Sequence, residues 1–145
     1  MKKRILTFVL AMLPALALAA GGGNIHLDKA NIDLDNKESL QRGAKLFINY
    51  CLSCHSAKYQ RYNRLARDLG ISEEAVMENL MFTGEKIGDQ MDIAMTSAMG
   101  KKWFGAAPPD LTLVARVRGA DWLYTYMRTF YQDDLRPFGV NNQVF

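Results

Sequence analysis

Cysteine and histidine are nearly missing from this chain of 145 residues, which has only two of each. Whatever thiol or imidazole chemistry it performs is therefore concentrated in Cys51, Cys54, His55 and His26. Other signals are absent too. There is no Gly-rich phosphate loop, no nucleophile motif and no pair of carboxylates in a shared motif, so hydrolytic catalysis has little support. No basic stripe interleaves with aromatics, so nothing points to nucleic acid as a partner. No alternating run is long enough for a sheet, which predicts an all-α fold. The longest apolar run, Ile5 to Ala19, is broken by Pro14 and falls short of the about 20 residues that span a bilayer.

That run has another meaning. Lys2-Lys3-Arg4 precede it, and Ala17-Leu18-Ala19 gives a small-x-small cleavage pattern. A basic start, a short apolar core and a small-residue cut site describe a secretory signal peptide over residues 1–20, and hence export. The formal charge of +3 resides in those three basic residues. Without them the chain has fifteen residues of each sign and is neutral. The remaining length suits one small domain.

The present features centre on Cys51-Leu52-Ser53-Cys54-His55. Two thiols three positions apart, followed directly by an imidazole, suit covalent attachment of a c-type haem. Both thiols can add to the porphyrin vinyl groups, leaving His55 to offer a neutral nitrogen to the iron. A thioredoxin-like pair has the same C-x-x-C spacing but belongs in a βαβ context. A zinc site would need His26 as its fourth ligand, from a polar segment. A plain disulfide would close a tiny loop and leave His55 without a role.

Residues 21–36 read as an extended lead-in on the surface. Asp35 or Asn36 caps a helix expected to run to about Tyr50, with Leu40, Ala44, Phe47 and Ile48 on one apolar face and Gly43 leaving room for another helix. Ala57 to Leu69 is rich in Tyr and Arg and reads as an irregular segment passing into a short helix stopped at Gly70. Ser72 caps a helix expected to reach Phe82. Met91, Met95 and Met99 would form one sulfur stripe if their stretch were helical, and packing is the favoured role for them. Pro108-Pro109 have carbonyls free to accept from an outside donor. Asp110 or Thr112 is expected to cap the segment ending at Arg118, and Asp121 a helix from Trp122 to about Tyr131. Asp133 to Pro137 is a turn.

Taken in order, these parts resemble the class I cytochrome c fold: a helix with Gly43 and Phe47, C-x-x-C-H, a proline loop, then an aromatic helix around Trp122-Leu123-Tyr124. The finer resemblance is to the cytochrome c1 family. It rests on Gln41-Arg42-Gly43-Ala44, on Tyr59-x-x-Tyr62-Asn63-Arg64-Leu65, and on Ala107-Pro108-Pro109-Asp110-Leu111-Thr112 with Arg116-x-Arg118. It covers roughly residues 30–145, within a cytochrome c domain expected over 37–145.

The resemblance implies that Cys51 and Cys54 carry one covalent haem c and that His55 is its proximal ligand. It implies that a proline carbonyl, taken as that of Pro109, accepts from the imidazole N–H, and that Arg118 pairs with a haem propionate. The implied function is one-electron transfer in the bc1 complex, from the Rieske iron–sulfur protein to a soluble cytochrome c, with cytochrome b as a further partner. A freestanding soluble periplasmic cytochrome c, or the haem domain of another respiratory enzyme, is the alternative. The family draws its distal Met from a Gly-Met-Pro-like segment and ends in a transmembrane helix. Both are expected beyond Phe145, on the periplasmic side of a bacterial inner membrane, with this chain an N-terminal portion. Acidic clusters at Glu73-Glu74-Glu78 and Asp133-Asp134 are candidates for partner docking.

Overall fold

A computed structural model describes residues 25–144. The signal-peptide reading of residues 1–20 lies outside them. Residues 25–36 form neither helix nor strand and stay largely at the surface. They are tied down by Asp28 N–H donating to Thr125 Oγ1 at 2.8 Å and Ala30 N–H donating to Asp121 Oδ1 at 2.9 Å.

Helix α1, Lys37–Tyr50, begins where Asn36 Oδ1 accepts from the Ser39 amide at 2.9 Å, satisfying one of the first-turn N–H groups. Of its apolar residues Ile48 is buried, while Leu40, Ala44 and Phe47 are half-buried. Gly43 is exposed, and a Cβ there would meet nothing within 4 Å. The close helix approach expected at Gly43 is therefore not made within the described residues.

Strand β1, Ala57–Arg61, leads directly into α2, Tyr62–Leu69. Gly70 ends α2 with φ +65°, a left-handed conformation that costs glycine nothing sterically. Helix α3, Glu73–Asn79, starts with Ser72 Oγ accepting from Ala75 N–H. It stops three residues before the expected Phe82. Strand β2 is only Gln90–Met91, and it pairs antiparallel with β1. Helix α4 is Ser97–Phe104, α5 is Val114–Arg118 and α6 is Ala120–Arg128. Strands β3, Phe130–Gln132, and β4, Val140–Asn142, form an antiparallel hairpin in the register Phe130 to Asn142.

Helices dominate, but the all-α expectation needs correction: two small two-stranded ladders are present. Ladders this short show almost no alternation, so periodicity does not reveal them. The last helix also ends at Arg128 and not near Tyr131, because Phe130–Gln132 are taken up by the hairpin.

The core sits between α1, α2, α3 and the β1–β2 ladder. It consists of Ile48, Leu52, Ala57, Tyr62, Ala66, Val76, Leu80 and Met91. Tyr62 is fully buried, and its hydroxyl lies 2.8 Å from Thr83 Oγ1, which satisfies its polar end. Leu52, inside the Cys51–His55 motif, is 1% exposed. Burying a side chain of this size is worth about 1.5–3 kcal/mol, enough to anchor the motif against the domain.

Candidate functional site

Helix α1 delivers the motif. Cys51 N–H and Leu52 N–H both donate to Phe47 O, at 2.8 and 3.0 Å. Cys54 N–H and His55 N–H both donate to Cys51 O, at 3.1 and 2.8 Å. The chain thus curls into a tight turn with Leu52 pointing into the core. Cys51 and Cys54 are half-buried and unlinked to each other. Among the described residues no group of three or more His, Cys, Asp or Glu is placed to hold a bare metal ion.

His55 is half-buried, and its Nδ1 lies 2.8 Å from the carbonyl oxygen of Pro109. The structure therefore brings Pro109 to His55 across the fold. With the carbonyl accepting, Nδ1 carries the proton and Nε2 is the free basic nitrogen. The loop bearing Pro109 is fixed from both sides. Gly100 of α4 packs against Pro108, where a Cβ on Gly100 would come within 2.8 Å of Pro108 Cδ. On the other side Asp110 reaches across to the segment after His55. Its Oδ2 accepts from Ser56 Oγ at 2.8 Å and from the Lys58 amide at 2.9 Å. Its Oδ1 accepts from the Thr112 amide at 2.9 Å.

Asp110 thus does not cap α5, which has no side-chain cap at all. Burial pushes its carboxyl up, but the donors from Lys58, Thr112 and Ser56 outweigh that and hold its pKa at about 2. Asp121 is likewise no cap. It lies in the first turn of α6 and accepts from Lys29 Nζ and the Ala30 amide. The Ala30 amide, then Lys29, hold its carboxyl below the usual range. Both aspartates sit where a local pattern suggests a cap, yet both are used by distant segments.

Arg118 ends α5, with its guanidinium over the Trp122 ring, 5.1 Å from the centroid. It helps line a cleft of about 340 Å3 with Tyr59, Asp110, Leu113, Val114 and Val117. A second cleft, of about 370 Å3, runs past Ser56, Lys58, Met95, Ala107 and Pro108. The three methionines do not form a stripe. Met91 is buried in β2, Met95 lines that second cleft, and Met99 is exposed on α4. Arg64 and Arg67 both pair with Asp68, while Arg61 donates to Gly88 O, so these guanidiniums are engaged locally.

The model described as the cytochrome C1 family matches residues 30–144, a span that includes Cys51, Cys54, His55, Pro109 and Arg118. The chain belongs to the cytochrome c1 family. It is 57% identical over 145 residues to the cytochrome c1 of Allochromatium vinosum, covering 100% of this chain and 59% of that protein. It is 49% identical over 144 residues to the ammonia monooxygenase gamma subunit of Nitrosomonas europaea, covering 98% of this chain and 61% of that one. The cytochrome c1 of Rhodospirillum rubrum is 29% identical over 150 residues, covering 86% of this chain and 54% of that protein. The chain thus spans little more than half the length of these curated relatives.

As a cytochrome c1 chain it has haem c as its cofactor, with the C-x-x-C-H spacing of the motif. The residues present fit that group. Two unlinked, half-buried thiols precede an imidazole that has one nitrogen engaged and the other free. Leu113 and Val117 are 48% and 75% exposed along the cleft that Asp110 also lines, an apolar wall of the kind a porphyrin would cover. Arg118 on the same cleft supplies the one cationic group among its lining residues, suited to a carboxylate. Leu52, Ser56, Gly100 and Asp110 contribute to this arrangement and were not legible as site residues. Only the Asp directly after Pro-Pro gave a local signal, and it resembled a helix cap.

No helix among the described residues is long and apolar enough to cross a membrane.

Proposed function

We propose that this chain is the haem-bearing portion of a one-electron carrier, built as a class I cytochrome c-like domain. It would take electrons from a Rieske iron–sulfur protein and pass them to a soluble cytochrome c, within a bc1 complex that includes cytochrome b. The single observation that carries the reading is the contact between His55 Nδ1 and Pro109 O, next to two unlinked thiols at haem-attachment spacing.

Haem c supplies reversible one-electron chemistry at its iron when bound. Cys51 and Cys54 would hold it through thioether bonds, so that the carrier keeps its cofactor. His55 would offer Nε2 to the iron. By donating its Nδ1 proton to Pro109 O it keeps a fixed ring orientation and becomes a stronger electron donor. Arg118 would meet a propionate with a planar pair of N–H donors, and its stacking on Trp122 limits how far the guanidinium can swing. The exposed Glu73, Glu74 and Glu78 of α3 offer an acidic surface for brief docking. Export by a signal peptide over residues 1–20 would put the domain on the periplasmic side of the membrane.

Stopped-flow spectroscopy of membranes containing the full-length polypeptide tests this. Added quinol should reduce the haem only when the Rieske protein is present, and oxidised soluble cytochrome c should reoxidise it. Reduction at an unchanged rate without the Rieske protein contradicts the route. The 49% identity to an ammonia monooxygenase gamma subunit favours one other reading, a subunit of a different oxidoreductase. Purification with a monooxygenase, and not with cytochrome b, would support that alternative.

A further inference from the structure

The position of the Pro109 carbonyl needs a cause. Pro109 is exposed, so packing does not hold it. It has no N–H, and its φ is fixed by the ring, so the neighbours on either side dictate where its carbonyl points. On the far side the neighbour is Asp110. Four hydrogen bonds join residues 110–112 to residues 56–59. Two end on the Asp110 carboxylate, from Ser56 Oγ and the Lys58 amide. Leu111 N–H donates to Ser56 O at 2.8 Å, and Tyr59 N–H donates to Thr112 Oγ1 at 3.3 Å. The bonds to the carboxylate are charge-assisted and so are the stronger members of the set.

We propose that Asp110 is a positioning residue for the haem iron. It latches the proline loop to the segment after His55, holds Pro109 O at His55 Nδ1, and so sets how strongly the imidazole donates to the metal. This inference rests on the ligand assignment above. The low pKa of Asp110 keeps the latch ionised across the working pH range. Loosening it lengthens the Nδ1–H···O bond and makes the imidazole a weaker donor. The ferric state is then less stabilised, and the reduction potential rises.

Two variants of the full-length holoprotein separate this from a simple charge effect. Asp110→Asn has nearly the same size but can accept on only one oxygen. Ser56→Ala removes one donor to the latch and leaves the charge unchanged. Amide hydrogen exchange at Lys58 and Leu111 should speed up about tenfold in Asp110→Asn and less in Ser56→Ala. The ferric EPR g-values should shift and the potential should rise, in the same order. Unchanged exchange and g-values in both variants overturn the latch. So does a potential that rises in Asp110→Asn alone with unchanged g-values, since that is charge without positioning. If Asp110→Asn does not take up haem, Ser56→Ala decides the matter by the same readouts. Lack of covalent haem in the wild-type protein would overturn the ligand assignment itself, whereas haem with unaltered variant spectra overturns only the latch.

Discussion

His55 Nδ1 and Pro109 O lie 2.8 Å apart although 54 positions separate them in the chain. The helix before His55 and the loop around Pro109 come from different parts of the fold. Their meeting is arranged by Leu52 in the core, by Gly100 under Pro108 and by Asp110 beside Ser56. Each of these supports can be tested by itself.

Gly100→Ala should destabilise the domain by about 1–3 kcal/mol, as overpacking does. Alanine in an open helix would instead gain about 0.5–1 kcal/mol over glycine. The sign reverses here because the new Cβ would come 2.8 Å from Pro108 Cδ, and a proline ring cannot rotate away. Chemical denaturation of the holoprotein measures the difference.

Tyr62→Phe removes a hydroxyl 2.8 Å from Thr83 Oγ1 and leaves the ring in place. Thr83 is exposed and can turn to water, so the cost should be only about 0.5–1.5 kcal/mol. Tyr62→Ala should cost about 3–5 kcal/mol, because it opens a cavity where no solvent reaches. Equal losses from the two variants would show that the ring is not packed as described.

Asp110 makes stability depend on acid. Its pKa is about 2 in the folded state, against an ordinary 3.8, so the unfolded chain binds the proton first. Its contribution is full above about pH 5 and is lost as the pH falls through the folded value. Allowing for solvent screening it amounts to about 1–2 kcal/mol. Denaturation measured from pH 6 down to pH 2 should show this slope in the wild type and a shallower one in Asp110→Asn.

Arg118→Gln should lower the haem potential, because a cation beside a propionate favours the reduced, less positive iron. The ratio of reduced to oxidised haem at a fixed potential should fall by roughly twofold to tenfold. Arg118→Lys keeps the charge but loses the planar stack on Trp122, and should fall in between. Redox titration monitored in the haem bands gives all three values.

What the sequence made legible was local chemistry. Asn36 and Ser72 cap the helices expected of them, and Gly70 stops α2, because each effect acts within one turn of the chain. The Cys51–His55 motif is local in the same sense. Asp110 and Asp121 misled for the opposite reason. Each has the residue type and position of a cap, but its acceptor oxygens serve segments 52 to 54 and 91 to 92 positions away. The Met91–Met99 stripe failed because β2 and a loop interrupt the helix it required. The two ladders went unseen because β2, β3 and β4 have only two or three residues each, too few for a pattern to read.

In the proposed function Cys51 and Cys54 carry a covalent haem. The most direct measurement is the mass and haem stain of the denatured full-length polypeptide, for wild type and for a Cys51→Ala, Cys54→Ala double variant. The wild-type chain should keep one haem through denaturation, and the double variant should keep none. A wild-type chain that comes off the gel without haem, or a double variant that still carries it, would contradict the account.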